Sequence, residues 1–403
     1  MGSAFTTAQE PGPENNEPFT VGGVQFKSFG RVRYPYVSYL DVGKFGDEDF
    51  LLISAFEGAP WKSGSVAIAK GLKGGIEGRN VSEVKAVTLD PAPYAFESPN
   101  NAKKVPDDVF PGEHAIIVPD GFLIPGHRQG SVFIMLQDAE DITKTKKTVK
   151  LTKAINNYWY HTGHWVDMNG NGRKDLLIAR TNYTHGGGRL VWLEHPEEGA
   201  LDGREWEEHV ICEGPDVFTS VSELPQYPGE IIVWATEFRD ERLAFYRISK
   251  TDGTLVDKRV IDDQNIHRAY SAQLVDLNGD GQHQLLVNNW QRTTDDNGLW
   301  AYALPEDLMT GEFKRFDIAT RFPNKWRYFL TQIGGPGYPY VFYPDGQKQG
   351  RAHVLLCGHG NEKAWLLKPV GDASKFEYEA HEILDGGAVI PYMQITDIDE
   401  NGK

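Results

Sequence analysis

Cysteine is nearly absent from this chain of 403 residues: Cys212 and Cys357 are the two it has. That count excludes a disulfide-framed scaffold, and the pair reads most simply as two free buried thiols, although a fold could still bring them together. Long apolar runs are also missing, so no membrane span is expected. Basic residues are in deficit, with 41 Lys and Arg against 57 Asp and Glu, for a net charge of −16 and a pI near 5.2. This argues against nonspecific nucleic-acid binding but leaves room for a small cationic pocket. No G-x-S-x-G elbow, H-E-x-x-H helix or phosphate loop is present. Of the acids that a glycoside hydrolase would need in pairs, Asp120 and Glu237 are the candidates, and they fall in non-adjacent segments.

What the chain does have is glycine (43), proline (23) and 12 % aromatics, the composition of many short strands joined by turns. It also has a repeated acidic loop. Asp167-Met-Asn-Gly-Asn-Gly-Arg-Lys-Asp175 precedes Leu-Leu-Ile-Ala; Asp276-Leu-Asn-Gly-Asp-Gly-Gln-His-Gln284 precedes Leu-Leu-Val; Asp397-Ile-Asp-Glu-Asn-Gly402 closes the sequence. Around these loops the chain divides into units of strand, tight turn, apolar strand, glycine turn and further strands. Six units and the start of a seventh, at Tyr392–Asp397, predict an all-β fold: a seven-bladed β-propeller of four-stranded antiparallel blades, its seventh blade truncated. Val21–Phe26 is the expected ring-closing strand. Residues 1–20 read as a disordered tail or cloning remnant, and 21–403 as one propeller domain.

The loops resemble the D-x-[ND]-x-[DN]-G-x-x-D turn of the FG-GAP/VCBS repeat family, well in the third and fifth units and weakly in the first. The architecture and residue palette also resemble seven-bladed propeller polysaccharide lyases, without a residue-by-residue motif match. Alternating oxygen ligands suit calcium, expected in a structural role. Its candidate ligands are Asp167, Asn169, Asn171, the Arg173 carbonyl and Asp175; then Asp276, Asn278, Asp280 and the Gln282 carbonyl; then Asp397, Asp399 and Asn401. The alternative is a turn held by Asx hydrogen bonds alone.

The acidic turn joins the first two strands of a unit, so the start of the first strand and the end of the second share the opposite face. That face collects His, Arg, Tyr and Asn. A polar column (Ser38, Lys104, His164, Ser220, Gln273, Gln394) should line a tunnel. The palette suits an anionic oligo- or polysaccharide, and β-elimination at a uronate needs a cation, a base and an acid of these types. The candidate catalytic set is His161, His164 and Arg180, with His267 and Tyr270 as a second. Tyr36, Arg268, Asn289, Arg292, Arg327, His359 and Tyr392 are candidate substrate contacts. Each has a plain alternative: a hydrogen-bonded structural histidine, an arginine bridging blades, a tyrosine packed by its ring. The sequence thus predicts a secreted, monomeric, carbohydrate-active propeller, best read as a lyase. A glycan- or protein-binding module and a glycoside hydrolase or other sugar-modifying enzyme stand as alternatives.

Overall fold

The computed structural model describes residues 17–57, 61–78, 80–122, 129–153, 155–182, 187–293, 295–325, 334–344, 346, 350–387, 389–390 and 392–397. The fold is an all-β propeller of four-stranded antiparallel blades. Six such sheets form among the described residues, where seven were expected. The first holds Val37–Phe45, Glu48–Ala55, Ser65–Lys70 and Val87–Thr88; the second Lys103–Lys104, His114–Pro119, Val132–Gln137 and Thr145–Lys150. The third holds Tyr158–Val166, Asp175–Asn182, Gly188–Glu194 and Glu207–Gly214, with two short strands, Gln129–Gly130 and Ile155–Asn156, added beside its first. The fourth is Thr219–Ser222, Glu230–Glu237, Arg242–Ser249 and Leu255–Asp262. The fifth is Ala269–Val275, Gln284–Asn289, Gly298–Ala303 and Lys314–Thr320; the sixth is Pro339–Phe342, His353–Cys357, Lys363–Pro369 and Tyr378–Asp385.

Two expectations fail at the chain ends. Tyr392–Asp397 carries no strand, and the nearest pairing is a single bridge from Ile390 to His359. Val21–Phe26 does not act as one closing strand. Phe19–Val21 folds back on Val24–Phe26 instead, because Gly22 (φ 58°) and Gly23 (φ 84°) supply the two positive-φ positions of a tight hairpin turn.

The chain divides into two compact units. One comprises Met1–Arg31, Gly78–Val81 and Leu274–Lys403; the other comprises Val32–Glu77 and Ser82–Gln273. Within the second, successive sheets bury their second and third strands against each other. Leu52, Ile68 and Phe96 meet Ile116, Val118 and Phe133. Ile117, Ile134 and Leu136 meet Leu176, Ile178 and Val191. Leu177, Leu190 and Trp192 meet Val233 and Tyr246. In the first unit Leu286, Leu299 and Ala301 meet Val354, Leu356 and Leu367. Strands packed on both faces have no polar alternation, which is why Leu176–Ala179 reads as an unbroken apolar run. Each such side chain contributes about 1.5–3 kcal/mol.

A polar fastening recurs at the penultimate residue of the second strand. Ser54 Oγ accepts the backbone N–H of Ala102 (3.0 Å). Thr181 Oγ1 donates to the Asp216 carbonyl (2.8 Å). Thr236 Oγ1 donates to the Phe218 carbonyl (2.7 Å) and reaches the Tyr270 carbonyl (3.2 Å). Asn288 Nδ2 donates to the carbonyls of Pro336 and Gly337 (3.0 Å each). All four side chains are fully buried, and each ties its sheet to the first-strand region of the next. Thr236→Val keeps the shape but leaves buried carbonyls short of a donor. It is expected to destabilise the protein by about 1–3 kcal/mol, read by urea unfolding.

Candidate functional site

A cavity of about 700 Å³ lies between the second, third and fourth sheets of the second unit. Lys103, Lys104, Ile117, Gly163 and His164 line it, and Trp165 contributes an aromatic wall; Asp167, Lys174, Glu223 and Lys250 line it too. These last four lie in turns that follow first strands or just after a third strand. The cavity therefore reaches the acidic-turn end, not the opposite face where the sequence pointed.

The opposite end is occupied by aromatic rings. Phe56 contacts Phe122 (centroids 5.7 Å apart), Phe122 contacts Trp159 (5.0 Å) and His161 (5.6 Å), His161 meets Phe218 edge-on (4.4 Å), and Phe218 meets Tyr270 (5.2 Å). His161 is 2 % exposed in this cage. Its Nε2 accepts from the Asn100 amide (3.3 Å), and its Nδ1 lies 3.1 Å from Thr162 Oγ1. Burial, then the nearby Lys103 charge, lower its pKa to about 3. His164 differs. Its Nε2 donates to the Thr219 carbonyl (2.9 Å), so Nδ1 keeps its lone pair, and the half-buried ring lines the cavity. Burial, followed by Lys103, brings its pKa to about 4.

The three residues expected at one centre are therefore apart. His164 reaches the cavity, His161 is sealed among rings, and Arg180 binds elsewhere. Arg180 Nη2 pairs with Glu208 Oε1 (3.0 Å), its guanidinium covers the Tyr158 ring (4.6 Å), and Tyr160 donates to the same Glu208. His161 and His164 are three residues apart, about 10 Å along the strand, and a bulge between Tyr160 and Gly163 adds one residue there.

The remaining candidates scatter. Tyr270 joins the aromatic run. His267 takes positive φ (55°) in the turn before it. Arg268 pairs with Glu241 (3.1 Å) and lies over Phe238. Tyr36 is exposed, also at positive φ (54°). In the other unit, Asn289 is spent on a hairpin, donating to Asp296 and accepting from Gly298. His359 contacts the Trp290 indole N–H (3.3 Å), Arg292 is exposed over the same Trp290, and Tyr392 packs near Tyr338. Arg327 lies outside the described residues. The two acids of the hydrolase reading are also committed. Asp120 accepts the N–H groups of Glu97 and Ser98, with its pKa pushed up to about 7 by burial; Glu237 holds Arg242 and the Tyr246 hydroxyl. Cys212 and Cys357 are free thiols.

The acidic loops are Asx-turn nests. Asp167 accepts from Asn171 (3.2 Å) and Gly172 (2.9 Å), Asn169 from Asn171 (3.2 Å), and Asn171 from Arg173 (2.8 Å). Each of these oxygens keeps a lone pair, so the first loop fits a calcium ion through Asp167, Asn169 and Asn171. Asp175 does not join them: it accepts the N–H groups of Met168 and His195, anchoring the loop to the third strand. The second loop fits calcium poorly. Asp276 accepts from Asn278, Gly279 and Gly281, and Asp280 from Gln282, but Gln284 donates its amide to the Gln282 carbonyl (2.8 Å), the oxygen a metal would need. Of the third loop Asp397 is exposed, and Asp399 and Asn401 lie outside the described residues. Among the described residues, the His, Cys, Asp and Glu groups close enough to share an ion are Glu194, Glu207 and His209, where His209 already pairs with Glu194 (2.9 Å).

Sequence reasoning missed Lys103, Lys174 and Lys250. Their signal was position: Lys174 is the eighth residue of the acidic loop, and Lys103 lies in the second unit, whose turn has no acidic motif to align.

No family model matches the chain, and no curated protein matches it. Similar solved structures include a candidate 6-phosphogluconolactonase of Bacteroides uniformis, at 11 % identity over 85 % of this chain and 83 % of that one, with a TM-score of 0.49. The Dos1 propeller aligns at 10 % identity over 84 % and 71 %, with a TM-score of 0.44. An exo-β-1,3-galactanase of Phanerochaete chrysosporium aligns at 9 % identity over 87 % and 86 %, with a TM-score of 0.39. Likenesses this distant assign no activity to this chain.

Two predictions test the site. A histidine held neutral costs nothing above its ordinary pKa of 6.5, but the unfolded chain takes up a proton that the folded one refuses as pH falls toward 3. Stability should therefore fall from pH 6.5 downward, and fall less in His161→Gln. The buried aspartates act in the opposite sense, so the difference between the two melting curves is the measurement. For calcium, a rise in melting temperature on adding the ion should vanish in Asp167→Ala and persist in Asp276→Ala.

Proposed function

We propose that the protein is a carbohydrate-active propeller that receives an acidic glycan in the lysine-lined cavity. One observation carries this reading: Lys103, Lys104, Lys174 and Lys250 converge on one cavity in a chain of net charge −16. Trp165 offers a sugar ring an apolar wall, and a mostly apolar cavity with a few polar groups is the usual form of a small-molecule site. The FG-GAP/VCBS resemblance, an extracellular location and calcium at the Asp167 loop belong to the same proposal.

The arrangement at His164 favours elimination as the reaction. His164 and Lys103 both line the cavity, and the tautomer that donates from Nε2 to the Thr219 carbonyl leaves Nδ1 its lone pair, which gives a base and a cation in one lining. With a uronate bound, Lys103 would neutralise the carboxylate and His164 Nδ1 would take the C5 proton. Those electrons form the C4–C5 double bond as the C4–O bond breaks, and the leaving oxygen takes a proton from water or an ammonium group. Among the described residues no tyrosine lines the cavity, so Tyr270 of the second candidate set has no part in this assignment.

The test is incubation with acidic and neutral polysaccharides, followed by calorimetry and by ultraviolet absorbance of the unsaturated uronate. Binding of acidic chains with an absorbance rise lost in His164→Ala is expected. Binding without a rise would make the protein a glycan-binding module. Absence of binding to every acidic chain would overturn the proposal.

A further inference from the structure

Three of the four cavity lysines already have a partner. Lys104 pairs with Asp107 (2.8 Å), Lys174 with Asp108 (2.7 Å) and Lys250 with Glu223 (2.8 Å). Asp107, Asp108 and Glu223 are themselves largely exposed at the rim, so each pair is a weak contact. Even so, the paired charges cancel for a ligand that approaches from outside. Asp167, the remaining acid of the lining, accepts two backbone N–H groups of its own loop.

Lys103 is placed differently. It lines the cavity, with its ammonium 5.5 Å from the centre of the Tyr39 ring. Among the described residues it has no carboxylate within ion-pair distance. The acid that its field reaches, Asp41, accepts the backbone N–H of Lys104 instead (3.1 Å). After burial, the same field lowers the pKa of both His161 and His164, and His164 lines the cavity with Lys103. A cation over an aromatic face, without an ion-pair contact among the described residues, is the group with interaction energy left to give.

We infer that Lys103 reads the ligand's charge, and that the cavity selects a glycan presenting a single carboxylate at its inserted residue over a densely charged polyanion. This rests on the proposal that the cavity holds an acidic glycan, and it adds the rule by which that glycan is chosen. Selection follows from arithmetic on charges. A polyanion would gain one new ion pair at Lys103, and elsewhere it would have to displace Asp107, Asp108 and Glu223 for no net change in charge.

The test is calorimetry with the intact protein, using glucuronan oligosaccharides, their carboxyl-reduced counterparts and heparin, at several salt concentrations. The glucuronan oligosaccharide should bind at least about tenfold more tightly than its reduced counterpart, with a slope of log affinity against log salt of about one. Lys103→Met should weaken binding roughly 10–100-fold, as expected for loss of a charged hydrogen bond, and at least tenfold more than Lys250→Met. Lys103→Arg should recover part of the loss, and an unchanged melting temperature separates lost binding from lost folding. Tight heparin binding with a slope of three or more, or equal losses for Lys103→Met and Lys250→Met, would overturn the inference while leaving acidic-glycan binding intact. Absence of binding by wild type to either charged probe would remove both.

Discussion

The fastening at the end of four of the six second strands is the constraint on which the rest depends. An apolar interface between two sheets resists separation but not sliding, because dispersion and burial have no direction. A buried hydroxyl or amide does have direction. Ser54, Thr181, Thr236 and Asn288 each fix the height of one sheet against the first-strand region of the next, at the same place in the repeat. A hydrogen bond of this kind is worth about 1 kcal/mol net, yet leaving its partner unmet in the interior costs up to about three times that. The side chains of the first strands hold their positions because the sheets behind them are pinned.

Two members of the polar column act by the same rule. His164 donates to the Thr219 carbonyl, and Ser220 donates to the Ala272 carbonyl (2.8 Å). Each is a side-chain donor reaching the first strand of the following sheet. For Ser220 that bond uses the hydroxyl proton. For His164 it uses one nitrogen and leaves the other, so a residue that serves the scaffold also presents an oriented lone pair to the cavity. A ring held in this way pays little orientation entropy when it acts, and the carbonyl fixes its tautomer.

The blade pattern was legible because it rests on local signals: apolar runs bounded by glycine turns and the Asp-rich loop. Blade number was less so. Val21–Phe26 has the composition of a strand, but Gly22-Gly23 in its middle is a hairpin turn, and a pattern of hydrophobicity alone does not show whether two short strands pair with each other or with something distant. The site was half legible. His164 and Lys104 were on the page as polar residues at a tunnel-lining position, and so was the Asp167 loop. The shared end of first and second strands then placed His161 and Arg180 in the same space, but His161 lies about 10 Å along the strand from His164 among aromatic rings, and Arg180 turns to Glu208. Lys103, Lys174 and Lys250 come together from three different sheets, a convergence that spacing along the chain does not record.

The contrast between the whole chain and its cavity has a kinetic side. A protein of charge −16 repels anions at long range, and at physiological salt that repulsion is screened beyond about 8 Å. An acidic glycan would therefore meet the rim first. There Asp107, Asp108 and Glu223 lie in contact with lysines, and the local field is close to neutral. Inside the cavity screening by solvent weakens, and Lys103, without an ion-pair contact among the described residues, is the cation left to attract a carboxylate. Inside such walls the attraction at 4 Å rises from about 1 kcal/mol in water toward about 4 kcal/mol. The favourable interaction thus grows with insertion, and it grows beside Nδ1 of His164. A ligand held only at the rim would gain little, whereas one whose carboxylate reached Lys103 would place its neighbouring carbon next to the one uncommitted basic nitrogen identified in the cavity.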